Sequence, residues 1–538
     1  MTIGGMAVTS KPRTRKGTDR VLHLVFAILL TATVISFTLW AIGVIGVNSH
    51  LPILILTILF GSFMAFNIGG NDVANSFGTS VGAGTLTLKQ ALLIAAVFEI
   101  GGAMLAGGEV TDTVKSGIVD LDGISLSPMD FAYIMMSALV GAAMWLLVAT
   151  LKGWPVSTTH SIVGGIVGAA VTTGFIASAS RHPWQMVQWG EIGQIVLSWF
   201  ISPVLGGLCA FFLYKTIKSS ILHYNDQAEE KLSHIRAERT ECRRRNKEAL
   251  SHMSDAERAE QTAAMGRDTI TMSGENYSLE DLESDYYREL YRINQRAESI
   301  NSHRALIHGT PFLAALGAVI IAAMLLLKGL KNIGLGLTPT TTTILLIMVG
   351  VTAWFAVHVF AKQLTSKPLD MATFIIFSWM QVFTAAAFAF SHGSNDIANA
   401  VGPFAAVIDV LHYNAIVAET QVPPFLMLTA GVALISGLWF IGRNVIHTVG
   451  TGLTKMHPAS GFSAELSAAA VVMAASLLGL PVSSTHILIG AVLGIGVVNH
   501  SANWSLMKPI GMAWAITVPA SALIGAVTVV VIRFFFSM

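Results

Sequence analysis

The sequence has few charged residues, few cysteines and no marked excess of charge of either sign. Only 12% of its 538 residues are Asp, Glu, Lys or Arg, against about 25% in soluble domains, so a soluble globular fold is excluded. A formal net charge of +1 without a basic patch gives no reason to expect a nucleic-acid partner. The two cysteines, Cys209 and Cys242, cannot form a disulfide framework. No Walker A motif or dinucleotide fingerprint occurs, and no cofactor is expected.

Long apolar stretches make up most of the chain. Hydrophobic residues account for 53% of it, and many apolar runs approach the roughly 20 residues that a helix needs to cross a bilayer. This pattern predicts an all-α polytopic membrane protein embedded in the lipid bilayer. The candidate membrane segments are 21–47, 51–68, 88–108, 131–151, 155–176, 190–216, 306–328, 339–362, 371–391, 410–442 (broken at Pro423-Pro424), 463–479, 481–499 and 508–536.

Charged residues are concentrated at the N-terminus and in one internal block. Residues 1–20 are basic, and the apolar run at 21–47 is too long for a signal-peptide core. We therefore expect an uncleaved transmembrane helix with the N-terminus in the cytoplasm. Residues 217–305 carry many charges of both signs, which predicts a solvated cytoplasmic loop. Residues 306–362 are expected to form two connecting transmembrane helices.

Two polar motifs occur twice, in the same order. The first half of the chain contains GGNDVAN and PVSTTH, and the second half contains HGSNDIAN and PVSSTH. Asp72 and Ser157 are 85 residues apart, and Asp396 and Ser483 are 87 residues apart. Two different motifs that recur at nearly the same spacing indicate an internal duplication.

The predicted topology gives the two copies opposite orientations. We place repeat A at 51–216 and repeat B at 371–538. With a cytoplasmic N-terminus, an odd number of crossings separates the starts of the two repeats, so the repeats are inverted and the C-terminus lies outside. Inverted repeats with broken helices or hairpins around a midplane site are typical of secondary transporters.

The PVSTTH and PVSSTH motifs are suited to binding an anion. Proline favours the first turn of a helix, and the hydroxyl-bearing residues from Ser157 and from Ser483 follow it. A helix that begins inside a membrane leaves unsatisfied N–H groups, and an anion satisfies them. One motif alone would more often be an ordinary helix cap. Its recurrence after an apolar run favours two helix starts that hold one tetrahedral oxyanion.

The GGNDVAN and HGSNDIAN motifs are suited to binding a hard cation. Each places two asparagines and an aspartate within one helical turn, where side chains three or four residues apart share a face. A carboxylate in a membrane is costly unless it is paired, and such residues usually serve function. A carboxylate beside a bound anion needs a cation or a proton between them, so the motifs together predict a cation-coupled anion site.

Further ionisable residues lie in the apolar segments. Glu99 and Glu465 are candidate cation or proton ligands, although a structural role is about equally plausible for them. By the repeat offset, Glu99 aligns near Pro423-Pro424, so the two acids are not equivalent. His392 precedes Asp396 by one turn, whereas repeat A has isoleucine at that position. This asymmetry argues against a shared ligand role and leaves gating or pH tuning open.

The paired motifs resemble those of the PiT family of inorganic phosphate transporters. The resemblance covers both repeats, and NDVANSFGTSVGAGTLTLKQALLIAAVFE is most similar to the sodium-coupled branch. It implies sodium:phosphate symport by alternating access, with sodium as co-substrate and a homodimeric assembly in the plasma membrane. The helix at 21–47 and the loop at 217–305 depart from the family pattern.

The motifs and the resemblance together assign the site residues. The expected phosphate-binding residues are Ser157, Thr158, Thr159, Ser483, Ser484, Thr485, Asn71 and Asn395. The expected sodium-binding residues are Asp72, Asp396, Asn75, Asn399, Glu99 and Glu465. No transition-metal site and no catalytic residue is expected.

Other functions remain open at this stage. A proton-coupled carrier of phosphate or metal–phosphate, or a sulfate carrier, could use the same scaffold. An intramembrane serine hydrolase could use Ser157 with His160, although no acid is placed to orient the histidine. A phosphate sensor could signal through the loop at 217–305.

Overall fold

The chain is almost entirely helical. The structure, a computed structural model, describes residues 16–46, 50–119, 126–176, 183–274, 277–329, 337–417, 421–449 and 455–536. In these ranges there is no β-strand, only an isolated bridge between Val119 and Val187, which confirms the predicted all-α class. The helices are α1 Lys16–Ile45, α2 Leu51–Ile68, α3 Ala74–Gly82, α4 Leu88–Ala106, α5 Gly108–Ser116, α6 Pro128–Leu151, α7 Thr158–Ile176, α8 Trp189–Ile217, α9 His223–His252, α10 Asp255–Thr271, α11 Asp285–Ser299, α12 Arg304–Met324, α13 Pro339–Gln363, α14 Leu369–Asp396, α15 Ala398–Tyr413, α16 Pro424–Ile441, α17 Arg443–His447, α18 Pro458–Leu477, α19 Ser484–Val498 and α20 Trp504–Phe536.

The helix lengths agree with a polytopic membrane protein. Within the described ranges, twelve helical segments are long and apolar enough to cross a membrane, and α19 is a shorter apolar helix of 15 residues. The break predicted at Pro423-Pro424 is present, because α16 starts at Pro424 with Pro423 as its N-cap. The start of that segment is wrong, since residues 410–413 belong to the end of α15, before the left-handed Asn414.

The chain folds into two compact units. The first comprises the described parts of Met1–Lys215, Gly317–Val349 and Phe377–Met538, and the second comprises those of Thr216–Leu316 and Gly350–Ile376. Both polar motif pairs fall in the first unit.

Two helix crossings in the first unit repeat the same close contact. A methyl group at Gly69 would overlap the carbonyl oxygen of Leu434, and one at Gly437 would overlap that of Phe66. In the other copy, Gly393 meets the carbonyl of Glu99, and Gly102 meets that of Phe390. Small residues let membrane helices approach closely, so these crossings bring the polar motifs of both copies together.

The helices that carry the polar motifs are interrupted in the first unit. A π-helical turn at Gly69–Val73 joins α2 to α3, and α14 breaks from α15 after Asp396. The glycines ahead of the two PVS motifs, Gly153 and Gly479, have φ of 70° and 67°. A side chain is strained at such angles, so glycine is the residue that permits these turns, after which α7 and α19 begin.

The second unit contains a small helical core. Helices α9 and α11 pack through Ile235, Cys242 and Ile293. The buried Asp268 accepts hydrogen bonds from the backbone N–H groups of Glu283 and Ser284, at 2.7 and 2.8 Å, and thereby anchors α10 to the start of α11.

Candidate functional site

Asn71 and Asn395 hold the approach to each PVS motif. The amide nitrogen of Asn71 donates to Thr150 Oγ1 and to the carbonyl of Trp154, both at 3.0 Å. In the second copy, the amide of Asn395 donates to Ser476 Oγ at 2.9 Å and to the carbonyl of Leu480 at 3.2 Å. In this conformation both amides therefore bind the loop just before a helix start. Their role as phosphate ligands stays a prediction.

The two aspartates each accept a hydroxyl from the motif of their own copy. Thr158 Oγ1 donates to Asp72 Oδ2 at 2.5 Å, and Ser484 Oγ donates to Asp396 Oδ2. Thr485 Oγ1 of the second copy also donates to Asp72 Oδ1, at 2.8 Å. The two oxygens of Asp72 thus contact the helix starts of both copies, which the sequence could not reveal.

The two helix starts also contact each other. Thr159 Oγ1 donates to the carbonyl of Val482 at 3.0 Å, and the amide of Asn399 lies 3.1 Å from the hydroxyls of Thr158 and Thr159. The hydroxyl-bearing residues predicted for anion binding are at most 2% exposed: Ser157, Thr158, Thr159, Ser483, Ser484 and Thr485. The structure thus brings all six into one site closed to solvent.

Ser157 and Ser483 cap the two helix starts. Ser157 Oγ accepts the backbone N–H of His160 at 3.1 Å, and Ser483 Oγ accepts that of His486 at 3.2 Å. A hydroxyl in this role satisfies one of the free N–H groups of the first turn. The hydrogen bond leaves each hydroxyl proton able to reach another acceptor.

His392 connects two carboxylates in the centre of the site. Its Nδ1 lies 2.8 Å from Glu99 Oε2, and its Nε2 lies 3.1 Å from Asp396 Oδ2. Ligand atoms of Asp72, His392 and Asp396 lie within 4.8 Å of one another. Sequence reasoning had left His392 outside the ligand set, although its position four residues before Asp396 was a visible signal.

Several oxygens of the predicted site lack a partner among the described residues. A buried oxygen without a hydrogen bond is costly and marks a place for an ion or water. Carboxylate and amide oxygens are the donors that a hard cation prefers, so this set fits sodium better than a thiolate- or imidazole-preferring metal. The oxygens are Asp396 Oδ1, Asn399 Oδ1, Asn395 Oδ1 and Glu99 Oε1.

Glu465 lies in a separate polar cluster. It accepts hydrogen bonds from Thr79 at 2.6 Å, Thr384 at 3.0 Å and Gln381 at 3.1 Å, and a further one from Ser80. None of these partners was predicted, although the Thr-Ser pair follows Asp72 by two helical turns. The structure therefore groups Glu99 with the aspartates and gives Glu465 an oxygen-rich environment of its own.

The alignment of Glu99 with Pro423-Pro424 is wrong. Gly102 and Gly437 occupy equivalent positions in the two helix crossings, one in each copy. The counterpart of Glu99 is therefore Leu434 and not Pro423-Pro424. The sequence alignment missed this shift because a constant offset ignores a longer connection in repeat B. The conclusion that Glu99 and Glu465 are not equivalent is unaffected.

The side chain of Asn75 lies outside the described residues, and its sodium-binding role stays a prediction.

Comparison with known proteins gives consistent matches along the chain. A family model described as the phosphate transporter family matches residues 68–525. A Mycobacterium tuberculosis protein provisionally named a phosphate permease is 56% identical over 520 residues, which cover 97% of this chain and 94% of that protein. A similarly named Haemophilus influenzae protein is 33% identical, with 90% and 97% covered. A solved structure, the sodium-dependent phosphate transporter, is 30% identical with a TM-score of 0.68, and the match covers 90% of this chain and 99% of that one.

Proposed function

The chain belongs to the phosphate transporter family, and from this premise we propose that it imports inorganic phosphate by sodium:phosphate symport with alternating access. The family resemblance of the motifs is thereby confirmed, and the protein is a transporter and not an enzyme. The name of the structural neighbour supports sodium as the coupling ion. The observation that carries the proposal is the contact of Asp72 with both helix starts.

Phosphate would bind between the two helix starts. The predicted phosphate ligands offer hydroxyl and amide groups, and the N-terminal turns of α7 and α19 add backbone N–H groups that attract an anion. The nearby carboxylates favour phosphate over sulfate. Phosphate at neutral pH retains a P–OH proton that can be donated to a carboxylate, whereas sulfate has none and would only be repelled.

Sodium would be held by the acidic residues. Two buried aspartates close to an anion repel it and each other unless a cation lies between them. The partnerless oxygens of Asp396, Asn399 and Glu99 are suited to that cation, and the cluster at Glu465 offers a second place for one. Binding of sodium would thus create the charge balance that phosphate needs, which couples the two fluxes.

The repeated contacts support a duplicated architecture. Each copy has the same asparagine clamp, the same hydroxyl-to-aspartate bond and the same serine cap. We infer that the repeats at 51–216 and 371–538 are inverted and rock around this site, in a plasma-membrane homodimer with the loop at 217–305 in the cytoplasm.

Uptake of radiolabelled phosphate into proteoliposomes tests the proposal. We expect uptake to depend on an inward sodium gradient, to stop when choline replaces sodium, and to resist competition by sulfate. Empty liposomes and the Asp72→Asn variant serve as controls. Uptake that persists in choline but needs a proton gradient would overturn sodium coupling, and would favour the proton-coupled alternative.

A further inference from the structure

The histidines of the two PVS motifs meet at the contact between the copies. His160 and His486 pack edge to face, with ring centroids 4.5 Å apart and an angle of 87° between the ring planes. Both are nearly fully buried, at 6% and 3% exposure. Neither was included among the expected ligands.

Each histidine is also covered by a tryptophan of its own copy. The ring centroid of His160 lies 3.7 Å from that of Trp199, and the ring centroid of His486 lies 3.7 Å from that of Trp514. Trp514 additionally donates its indole N–H to the carbonyl of Pro155, at 3.2 Å, in the PVS motif of the first copy. The four rings of Trp199, His160, His486 and Trp514 contact one another in this order. They form a cluster, the ring cluster, that joins the two helix starts.

The ring cluster is linked by hydrogen bonds to two of the hydroxyls proposed to bind phosphate. The backbone N–H of each histidine is the group that Ser157 or Ser483 caps. Each imidazole is thus carried on the first turn of its helix, and the ring contact, together with the hydrogen bond from Thr159 to the carbonyl of Val482, holds the two helix starts together.

The imidazoles carry a feature that simple packing would not require. The Nε2 atoms of His160 and His486 are buried and have no hydrogen-bond partner among the described residues. A hydrocarbon ring can make an edge-to-face contact without a buried, unsatisfied nitrogen, which costs free energy. The contact between the two imidazoles is thus weaker than an edge-to-face contact between two phenyl rings would be. A weaker contact suits an interface that must separate during transport.

We propose that His160 and His486 are positioning residues whose edge-to-face contact closes the phosphate site in this conformation and parts when the transporter changes state. This role rests on the proposed phosphate transport. It assigns the histidines to affinity and turnover and not to a chemical step with Ser157.

Two substitutions should shift transport kinetics in different ways. In His160→Ala/His486→Ala the contact is lost, and the apparent KM for phosphate should rise about 3- to 10-fold, as expected for the loss of an aromatic pair. In His160→Phe/His486→Phe the contact is retained without the unsatisfied nitrogens. The KM should then stay equal or fall, while the maximal rate drops about 3- to 10-fold because the closed contact separates less readily.

A matched control comes from a histidine in the other compact unit. His358 stacks on Trp354 with centroids 5.1 Å apart, and His358→Phe should leave both KM and maximal rate within about twofold of wild type. If either double variant does not fold, as judged by size-exclusion chromatography, the corresponding single substitution, His486→Ala or His486→Phe, is measured with the same expected directions.

Different outcomes would refute phosphate transport and the positioning role of the histidines. Wild-type protein that transports no phosphate would refute the proposed function. Wild-type transport, with folded alanine and phenylalanine variants that both keep the wild-type KM or both shift it in the same direction, would refute the positioning role and leave phosphate transport intact.

Discussion

The two copies of the polar motifs share their hydrogen-bonded scaffold but differ in their acids. Asn71 and Asn395 clamp equivalent loops, and Asp72 and Asp396 accept equivalent hydroxyls. In contrast, Glu99 corresponds to Leu434 by the helix crossings.

Two more positions differ in the same way. His392 corresponds to Ile68, and by the repeat offset Glu465 corresponds to Leu139. We expect the residues present in both copies, which include the proposed sodium ligands Asp72 and Asp396, to act on phosphate and sodium held between the copies. The acids present only once are expected to bind an ion on one side.

The largest expected effect comes from breaking the shared aspartate contacts. Asp72→Asn should reduce phosphate uptake about 10- to 100-fold, because the amide keeps only one of the two acceptor oxygens of Asp72 and a hydrogen bond to a charged group contributes roughly 1.5–3 kcal/mol. Asp396→Asn should also be severe, but smaller in its effect on phosphate KM, since Asp396 contacts one helix start. Proteoliposome uptake at equal protein amounts measures both. Wild-type rates in Asp72→Asn would contradict the site.

Removing an acid that is present in only one copy should change the sodium dependence of uptake more than the phosphate KM. Glu465→Leu makes the second copy resemble the first, and Glu465→Gln keeps the shape of the side chain. Both should raise the sodium concentration for half-maximal uptake roughly tenfold or more, as expected when charged hydrogen bonds are lost, with the phosphate KM at saturating sodium within about threefold. An unchanged sodium dependence would show that Glu465 is a structural residue.

The two asparagine clamps should differ in stability. Besides its two donated bonds, Asn71 Oδ1 accepts the N–H of Val156 at 3.0 Å, whereas Asn395 Oδ1 has no partner among the described residues. At about 1 kcal/mol for each hydrogen bond, Asn71→Ala should be more destabilising than Asn395→Ala by about that amount. Thermal unfolding in detergent provides the comparison. Equal loss of stability would mean that the third bond contributes nothing.

The smallest effect on transport is expected in the second compact unit, which has no duplicated motif. Burial acts to raise the pKa of Asp268, but hydrogen bonds from Ser284 and from the backbone of Glu283 outweigh it, and the pKa lies below its ordinary value. A depressed pKa in the folded state means that this stabilisation is present at neutral pH. It is lost as the pH falls below the ordinary range near 4 toward the lowered value.

Asp268→Asn should therefore increase amide hydrogen exchange at the start of α11 at pH 7, while uptake changes by less than about twofold. In the wild type, lowering the pH toward 3 should reduce protection at the start of α11 in the same way, once the exchange rates are corrected for the slower intrinsic exchange at low pH. A large loss of uptake in Asp268→Asn would show that the loop region contributes to transport.

Local sequence patterns were sufficient for much of the fold and part of the site. The apolar runs predicted the membrane helices because a bilayer demands about 20 apolar residues and internal hydrogen bonding. The prediction placed the start of the segment at 410–442 too early, because the left-handed turn that ends α15 at Asn414 leaves no signal in hydropathy. It also misplaced the counterpart of Glu99, because helix register depends on packing.

By itself, the sequence determined the class of protein, the recurrence of the two polar motifs and the residue types of the proposed site, since these depend on composition and on spacing along the chain. Only the tertiary structure decided which groups meet. The contact of Thr485 with Asp72, the bridge of His392 to Glu99 and the ring contact between the histidines join residues hundreds of positions apart. Such pairs depend on how closely helices cross at a few glycines, and no periodicity along the chain records that distance.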